Sequence, residues 1–235
     1  MPLLHHRDRI EGDLVIEVAF TDVSLSLGDA ADDAVRADAL ARLGRETGAA
    51  PVLMHQVHGA DVELVDAGAA AGGPVRAPSC DAMVSSAPGV ALLARAADCV
   101  PVLLADPATG WIAAVHSGRS GLVGGVVPAA VAALRGRGGD PSVAWIGPHV
   151  CGACYEVPAD LQRQVGAAVP EARSTTSWGT PALDLGAGVR AQLAAAGIDD
   201  VRVVDTCTRE DASWPSYRRD GDAATRFAGV IWSHR

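Results

Sequence analysis

The chain has 235 residues, of which 49% are apolar and 20% are charged. This is enough to bury one sizeable core and predicts a single domain over residues 1–235. Nineteen cationic residues against 28 acidic ones leave a net charge of −9, which argues against nucleic acid and an anionic membrane surface as partners. All the cations are arginine and no Lys occurs, which excludes Schiff-base catalysis by lysine and a P-loop lysine.

Short runs rich in β-branched residues predict ten strands, at 14–20, 52–57, 62–65, 82–85, 90–94, 100–105, 111–116, 143–146, 201–204 and 227–232. Helical periodicity predicts four helices, at 32–47, 126–136, 159–168 and 185–196. Gly- and Pro-rich stretches predict loops within one domain, at 66–78, 136–141 and 174–181. Because ten strands and four helices do not alternate as repeated βαβ units would, the pattern predicts a mixed α/β layered fold with hairpins.

The clearest hairpin joins the sixth and seventh predicted strands through the loop 106–110, which has the Asp, Pro and Gly of a type I turn. We expect Ala105 to face Trp111 across this loop, to within about one register step. Cys99 and His116 then emerge side by side at the open end of the hairpin. This is a place where two reactive side chains can share a ligand.

A second histidine, His58, lies where another predicted strand ends. Strand alternation puts His55 on the opposite face, so the two histidines are not expected to serve one ligand. Two imidazoles and a thiolate, from His58, Cys99 and His116, suit zinc with an open fourth position. Two alternatives remain: a non-enzymatic binding module stabilised by a closed metal site, with His55 or Cys80 as fourth donor, and a metal-free hydrolase with Cys99 as nucleophile and His116 as base.

The other cysteines give weaker signals. Cys151 and Cys154 have Cys-x-x-Cys spacing, but the sequence offers no second pair to complete a metal site, and coincidence is the favoured interpretation. Cys80 and Cys207 are predicted to be packing residues without ligand partners. An odd number of cysteines in a chain of this length favours a reducing cytoplasm, and the longest nearly apolar stretch, 121–134, is too short to span a bilayer.

Three arginines are candidates for binding an anion. Arg119 lies in a Gly-containing turn after His116, where free backbone N–H groups could face a phosphate. Arg218 and Arg219 place two guanidinium groups beside an aromatic ring, an arrangement suited to phosphate or carboxylate. A solvated surface pair neutralised by the aspartates that follow is the alternative.

Several motifs together resemble the laccase-domain, or multicopper polyphenol oxidase-like, family, whose members are regarded as zinc-dependent purine nucleoside phosphorylases. They occur in the family's order, as Gln56-Val57-His58-Gly59, Asp81-Ala82-Met83-Val84, Ala97-Asp98-Cys99 with the following 100–107, 113–121, Ile146-Gly147-Pro148, Cys154-Tyr155-Glu156-Val157, Asp184-Leu185, Cys207-Thr208 and 216–221. The resemblance implies a single-domain, mixed-sheet α/β/β/α layered sandwich. It also implies that His58, Cys99 and His116 are the metal ligands.

The resemblance further implies phosphorolysis of adenosine, inosine, guanosine and methylthioadenosine, together with adenosine deamination. Purine nucleosides and inorganic phosphate are the implied partners. Zinc is the implied cofactor, and copper is disfavoured because the repeated His-x-His pairs of a multicopper cluster are missing. Some bacterial members are linked to editing of cell-wall peptide precursors, which keeps an amidase as an alternative.

Roles for the remaining site residues follow from the same motifs. Asp98 and Asp81 are candidate acid/base groups, and Gln56 and Asp81 are expected to contact substrate. Arg119, Arg218 and Arg219 are candidate phosphate clamps. Arg119 stands one position earlier than the arginine that the family usually carries, so substrate preference could differ.

Overall fold

A computed structural model describes residues 3–28, 31–70 and 76–235. Its strands are β1 (His5–Ile10), β2 (Val15–Phe20), β3 (Ala50–His55), β4 (Val62–Leu64), β5 (Arg76–Ser79), β6 (Ala82–Ser85), β7 (Val90–Ala96), β8 (Val100–Ala105), β9 (Ile112–Ser117), β10 (Val143–Ile146), β11 (Arg173–Thr175), β12 (Pro181–Leu183), β13 (Asp200–Val203) and β14 (Phe227–His234). Its α-helices are α1 (Asp33–Thr47), α2 (Ala67–Ala70), α3 (Arg119–Gly124), α4 (Val126–Arg135), α5 (Ala159–Ala168), α6 (Leu185–Ala195) and α7 (Tyr217–Asp220). Within these described ranges, no helix is long and apolar enough to cross a membrane.

Two six-stranded mixed sheets form the body of the fold. The first has the order β1-β2-β14-β7-β3-β5 and the second has the order β13-β10-β8-β9-β6-β4. A small third sheet pairs β11 with β12. Strand β3 runs parallel to β7, so the carboxyl ends of these two strands lie together at one edge of the first sheet.

Three apolar clusters show how the layers stack. One lies between α1 and the first sheet, one between the two sheets, and one between the second sheet and helices α3 to α6. The order of layers is therefore α/β/β/α, which confirms the predicted fold class. A buried Leu or Val side chain contributes about 1.5–3 kcal/mol through removal from water, so the all-apolar central strands stabilise this stack most.

Strand β8 shows why the sheets face each other. Val102 and Leu104 point into the cluster on the helix side, whereas Leu103 and Ala105 point into the cluster between the sheets. Every residue of β8 is buried. A strand covered on both faces reads as a continuous apolar run instead of an alternating one, which is how β8 could be recognised from the sequence.

The four predicted helices match the observed ones to within one residue at each end, and two of them, α1 and α6, begin at a capping aspartate. The Asp32 side chain accepts a hydrogen bond from the Ala34 N–H and caps α1, and Gly48 ends it at a φ of 65°. The strand predicted at 52–57 lies two residues earlier, as β3. Several short or polar elements were not predicted, namely β1, β5, β11, β12, α2, α3 and α7. Strand β5 and helix α2 fall in the predicted loop 66–78, of which 71–75 lie outside the described residues.

The register of the central hairpin differs by one step from the prediction. Ala105 pairs with Ile112, not with Trp111. The Asp106 N–H donates to the Trp111 carbonyl at 2.8 Å, just beyond the last strand pair, so this hydrogen bond closes a tighter loop over residues 107–110. Gly110, at a φ of 78°, supplies the left-handed residue that this shorter loop requires. The step falls within the predicted tolerance.

Candidate metal centre

His58, Cys99 and His116 converge at one edge of the space between the two sheets. Their potential ligand atoms all lie within 4.8 Å of one another. The Cys99 Sγ is 4.0 Å from His58 Nε2, and the two imidazole rings meet edge to face at 4.8 Å between centroids. A single ion could therefore contact all three side chains.

Each donor comes from the end of a different strand. His116 lies near the end of β9, Cys99 immediately precedes β8, and His58 follows β3 by three residues. His58 and the neighbouring Asp98 have left-handed φ angles of 61° and 87°, which non-glycine residues rarely adopt. The predicted alternation does not extend to His58, because β3 ends at His55 and the chain turns there.

Gly118 leaves room for the cluster. A Cβ atom at this position would lie 2.8 Å from His58 Cδ2 and 3.1 Å from Cys99 Sγ. The first distance is shorter than real Cβ contacts, and the second is tighter than most of them, so a side chain here would push on both donors. The glycine after β9 therefore lets the backbone approach two of the three donors.

Asp81 organises the centre from behind. Its fully buried carboxylate accepts hydrogen bonds from the backbone N–H groups of Val57, His58 and Gly59, at 3.2, 3.0 and 2.6 Å. It also accepts from His116 Nδ1 at 2.8 Å. Burial alone would raise the pKa of Asp81, but the hydrogen bonds from His116 and Gly59 outweigh it and hold this pKa below its ordinary value.

The same contact fixes the state of His116. Burial lowers the pKa of His116, with His58 adding to the effect, although the bond to Asp81 opposes it. The ring is therefore neutral near pH 7. Because Nδ1 donates to the carboxylate, the lone pair lies on Nε2, which faces the other two donors as metal-binding histidines do.

Cys99 differs from an activated nucleophile. Burial, reinforced by the Asp98 carboxylate, raises the pKa of Cys99 to about 12. Its Sγ lies 4.0 Å from His58 Nε2, while His116 turns Nδ1 towards Asp81. A thiol in this setting becomes a thiolate when a cation neutralises it, which fits a metal ligand better than a metal-free Cys–His pair.

A cavity of about 590 Å³ opens beside the three donors. This volume suits a small organic ligand. Two aromatic rings, three arginines and the donors themselves contribute to its wall, which is formed by Gln56, His58, Arg95, Ala96, Ala97, Asp98, Cys99, His116, Val150, Tyr155, Leu185, Tyr217, Arg218 and Arg226. Asp81 is fully buried behind this wall, so the structure gives it a position for orienting His116 and no path to a substrate.

Asp98 and Gln56 reach the cavity but already have protein partners. Asp98 accepts hydrogen bonds from Thr208 Oγ1 at 2.6 Å and from the Arg218 N–H at 2.7 Å, one on each carboxylate oxygen. Both ends of the Gln56 amide bond to the Arg95 backbone, at 2.8 and 2.9 Å. These contacts hold the cavity wall in place.

The three predicted anion-binding arginines separate in the structure. Arg218 lines the cavity, and its guanidinium lies 4.6 Å above the Tyr155 ring. Arg219 instead donates to the carbonyls of Thr208 and Trp214, at 2.7 and 2.8 Å, and pairs with the adjacent aspartate. Neither it nor Arg119 is among the described residues that line the cavity.

Sequence reasoning missed other cavity residues. Arg226 lines the wall and donates to the carbonyls of Ala224 and Thr225, and its charge acts on Cys99. Tyr155 belongs to one of the family motifs, but its place in the cavity wall was not predicted. No local pattern distinguishes either residue, because they reach the cavity through long-range packing of loops.

The prediction for Cys207 was wrong. Its Sγ lies with those of Cys151 and Cys154 and a Glu210 carboxylate oxygen, all within 4.8 Å of one another. The overlooked signal is Cys207-Thr208-Arg209-Glu210, which repeats the spacing of the Cys-x-x-Cys segment with a carboxylate as the last donor. Cys80, in contrast, is buried in the cluster between the sheets, as a packing residue should be.

Fold and site define a layered α/β protein with a three-donor metal centre beside a ligand-sized cavity. The chain belongs to the family described as multi-copper polyphenol oxidoreductase laccase, whose model matches residues 8–234. It is 53% identical over 183 residues, 77% of this chain and 74% of the relative, to a protein of Streptomyces coelicolor named purine nucleoside phosphorylase. A protein of Streptomyces griseus with the same name is 48% identical over 196 residues, 81% of this chain and 78% of the relative. This chain is also similar to the crystal structure of YlmD from Geobacillus stearothermophilus, with a TM-score of 0.83 and 27% sequence identity. The match covers 94% of this chain and 92% of the YlmD chain.

Proposed function

We propose that this chain is a zinc-dependent purine nucleoside phosphorylase that acts on adenosine, inosine, guanosine and methylthioadenosine, with adenosine deamination as a second activity. The observation that carries the proposal is the convergence of His58, Cys99 and His116 on a cavity that also presents arginines. The names of the Streptomyces relatives support the same reaction class. The five cysteines of this chain form no disulfide, which fits a reducing compartment, and we assign the enzyme to the cytoplasm.

The donor set fits zinc. Two imidazoles and one thiolate are borderline-soft ligands, and three protein donors beside a cavity leave a fourth position for water or substrate. The Asp81–His116 pair supplies the oriented neutral imidazole that such a site needs. Although the family description mentions copper, the sequence lacks His-x-His pairs, so zinc is the metal we assign.

When bound, zinc supplies a Lewis acid and lowers the pKa of a coordinated water towards neutrality. In phosphorolysis the bond between the ribose anomeric carbon and the purine nitrogen breaks, a bond from that carbon to an oxygen of hydrogen phosphate forms, and the proton that the phosphate gives up ends on the free base. The charge of the departing base needs stabilisation, and the phosphate must be held close to the anomeric carbon. In deamination, water replaces the amino group at purine C6 and ammonia leaves.

Arg218 and Arg226 are the residues we assign to phosphate. Both line the cavity, and guanidinium groups bind phosphate oxygens through paired N–H donors. The Arg218 backbone is held by Asp98, which fixes where this side chain starts. Tyr217 and Tyr155 add aromatic surface on which a purine could stack. Asp98, the neighbour of Cys99, is thus a positioning residue for the Arg218 guanidinium.

The test is to incubate metal-quantified protein with adenosine, with and without phosphate, and to identify the products by mass. Adenine and ribose 1-phosphate that form only with phosphate support phosphorolysis, and inosine supports deamination. Replacing Cys99 with Ala should remove the zinc ion held by His58, Cys99 and His116 and both activities together, whereas the matched change Cys80→Ala, in the packed core, should retain that ion. Unchanged adenosine with release of amino acids from a muropeptide would instead establish the amidase alternative.

A further inference from the structure

A second group of metal-type donors lies outside the centre described above. Cys151, Cys154 and Cys207 supply three sulfurs and Glu210 a carboxylate oxygen, and all four atoms lie within 4.8 Å of one another. We infer that these four side chains bind a second zinc ion, which has a structural role.

The local backbone has the shape of two ligand-bearing turns. In the first, the Cys154 N–H donates to the Cys151 carbonyl at 3.0 Å, and in the second, the Glu210 N–H donates to the Cys207 carbonyl at 3.2 Å. Each turn therefore brings residues i and i+3 to the same side of the chain. Structural zinc sites are commonly built from two such pairs.

A hydrogen bond to sulfur links the two turns. The Cys151 N–H donates to Cys207 Sγ at 3.4 Å, an interaction in which the sulfur is the acceptor. Backbone donors to ligand atoms orient them towards a metal. The turns are also joined by a short parallel bridge between His149 and Cys207, closed by the Thr208 N–H to the His149 carbonyl at 3.0 Å.

The donor chemistry favours zinc. Three thiolates select a soft or borderline ion, and a carboxylate as fourth ligand suits zinc better than copper(I), which prefers sulfur throughout. Four protein donors satisfy tetrahedral zinc and leave no open position, unlike the three-donor centre. Arg209 lies between Cys207 and Glu210 in the sequence and points its Nη1 at the Cys154 carbonyl, 3.5 Å away, so a cation lies close to this anionic group.

Both turns lead directly into the cavity wall. Tyr155 follows the first turn, and Thr208, in the second, donates to Asp98. Tyr155 and Asp98 both line the cavity, so an ion that joined the turns would hold these two wall residues at a fixed separation. The second ion would then stabilise the cavity without touching a substrate.

The experiment counts metal ions in the full chain, purified with zinc and a reducing agent, by inductively coupled plasma mass spectrometry. We expect two zinc ions per wild-type chain, one in Cys99→Ser, one in Cys207→Ser and none in the double variant. Glu210→Gln is the mild variant, because Glu210 is exposed and its loss does not disturb the core. It should retain the first ion and lose the second on dilution, and Cys80→Ser, the matched cysteine control, should retain both.

Cobalt substitution provides a second readout. The Cys99→Ser variant should keep an intense sulfur-to-cobalt absorption band, since three other sulfurs remain as ligands, and this band should disappear in Cys99→Ser/Cys207→Ser.

A Cys99→Ser chain without zinc, or a Cys207→Ser chain with as much zinc as the wild type, would overturn the inference. So would copper in place of zinc at this site, or three titratable thiols in the denatured wild type instead of five, which would reveal a disulfide. Because metal is counted, a failure here is distinct from a failure of the proposed catalytic function.

Discussion

Asp81 offers the sharpest test of the metal centre, through the change Asp81→Asn. One carboxylate oxygen accepts from Val57 and Gly59, and the other accepts from His58 and His116. In the asparagine variant the amide oxygen can serve the first pair, which leaves the amide NH₂ facing His116 Nδ1 and the His58 N–H, a donor that then loses its acceptor. The imidazole must then accept at Nδ1 and carry its proton on Nε2, where the lone pair for a metal should be.

The structure sets the size of the effect. The side chains of His116 and Asp81 are 3% and 0% exposed, so no water can replace the lost partner. Loss of such an oriented partner weakens metal binding by about 10–100-fold. Each factor of ten corresponds to about 1.4 kcal/mol, so the dry environment places the expected loss near the upper limit of roughly 2.8 kcal/mol.

The assay is a competition titration of zinc against a chromophoric chelator, in a Cys151→Ser background so that one site is measured. Asp106→Asn is the matched control, because Asp106 is another buried, hydrogen-bonded aspartate, at the far end of the same hairpin. It should bind zinc as tightly as the parent. An Asp81→Asn protein that is folded and binds zinc with unchanged affinity would refute the tautomer argument, as would an equal loss in the control.

Three further predictions concern single residues. Gly118→Ala should weaken zinc binding and lower kcat/KM, because the new Cβ displaces two ligands; a chelator titration that finds no change would contradict this. Arg218→Ala should raise KM for phosphate more than KM for nucleoside, whereas Arg163→Ala, on the exposed face of α5, should change neither in steady-state kinetics. Burial would raise the pKa of Asp106, but the Thr109 hydroxyl and the backbone N–H of Asp140 hold this pKa below 3.8. The ionised Asp106 therefore stabilises the fold fully above pH 3.8, and this stabilisation is lost as the pH falls through the lowered pKa. Acid unfolding followed by circular dichroism should show less dependence on pH in this range for Asp106→Asn than for the wild type.

Much of the fold could be predicted because local signals agreed with tertiary ones. A capping residue such as Asp32 indicates where a helix begins. A continuous apolar run indicates a strand buried on both faces, such as β8. Strand β1 does not, since its residues are mostly polar and it lies at a sheet edge, where no alternation is required. The single-domain boundaries at 1–235 stay a prediction.

The convergence of His58, Cys99 and His116 could be predicted because a hairpin brings two of them together and a family motif supplies the third, while their role as metal ligands stays a prediction. The rest of the cavity could not, because Arg226 and Tyr155 are placed by loops whose course depends on packing across the whole molecule. Cys207 was missed for a related reason. Its partner turn is 56 residues away in sequence, and the short bridge that follows the β10–β13 pairing brings the two together.

A strained residue, Asp98, links the His58/Cys99/His116 group to the group formed by Cys151, Cys154, Cys207 and Glu210. Asp98, next to Cys99, has a φ of 87°, a conformation that costs a non-glycine residue about 1–3 kcal/mol. Its carboxylate bonds to Thr208 and to the Arg218 N–H help to offset that cost, and Thr208 directly follows Cys207. Whatever fixes the Cys207 turn therefore also fixes the backbone that presents Cys99.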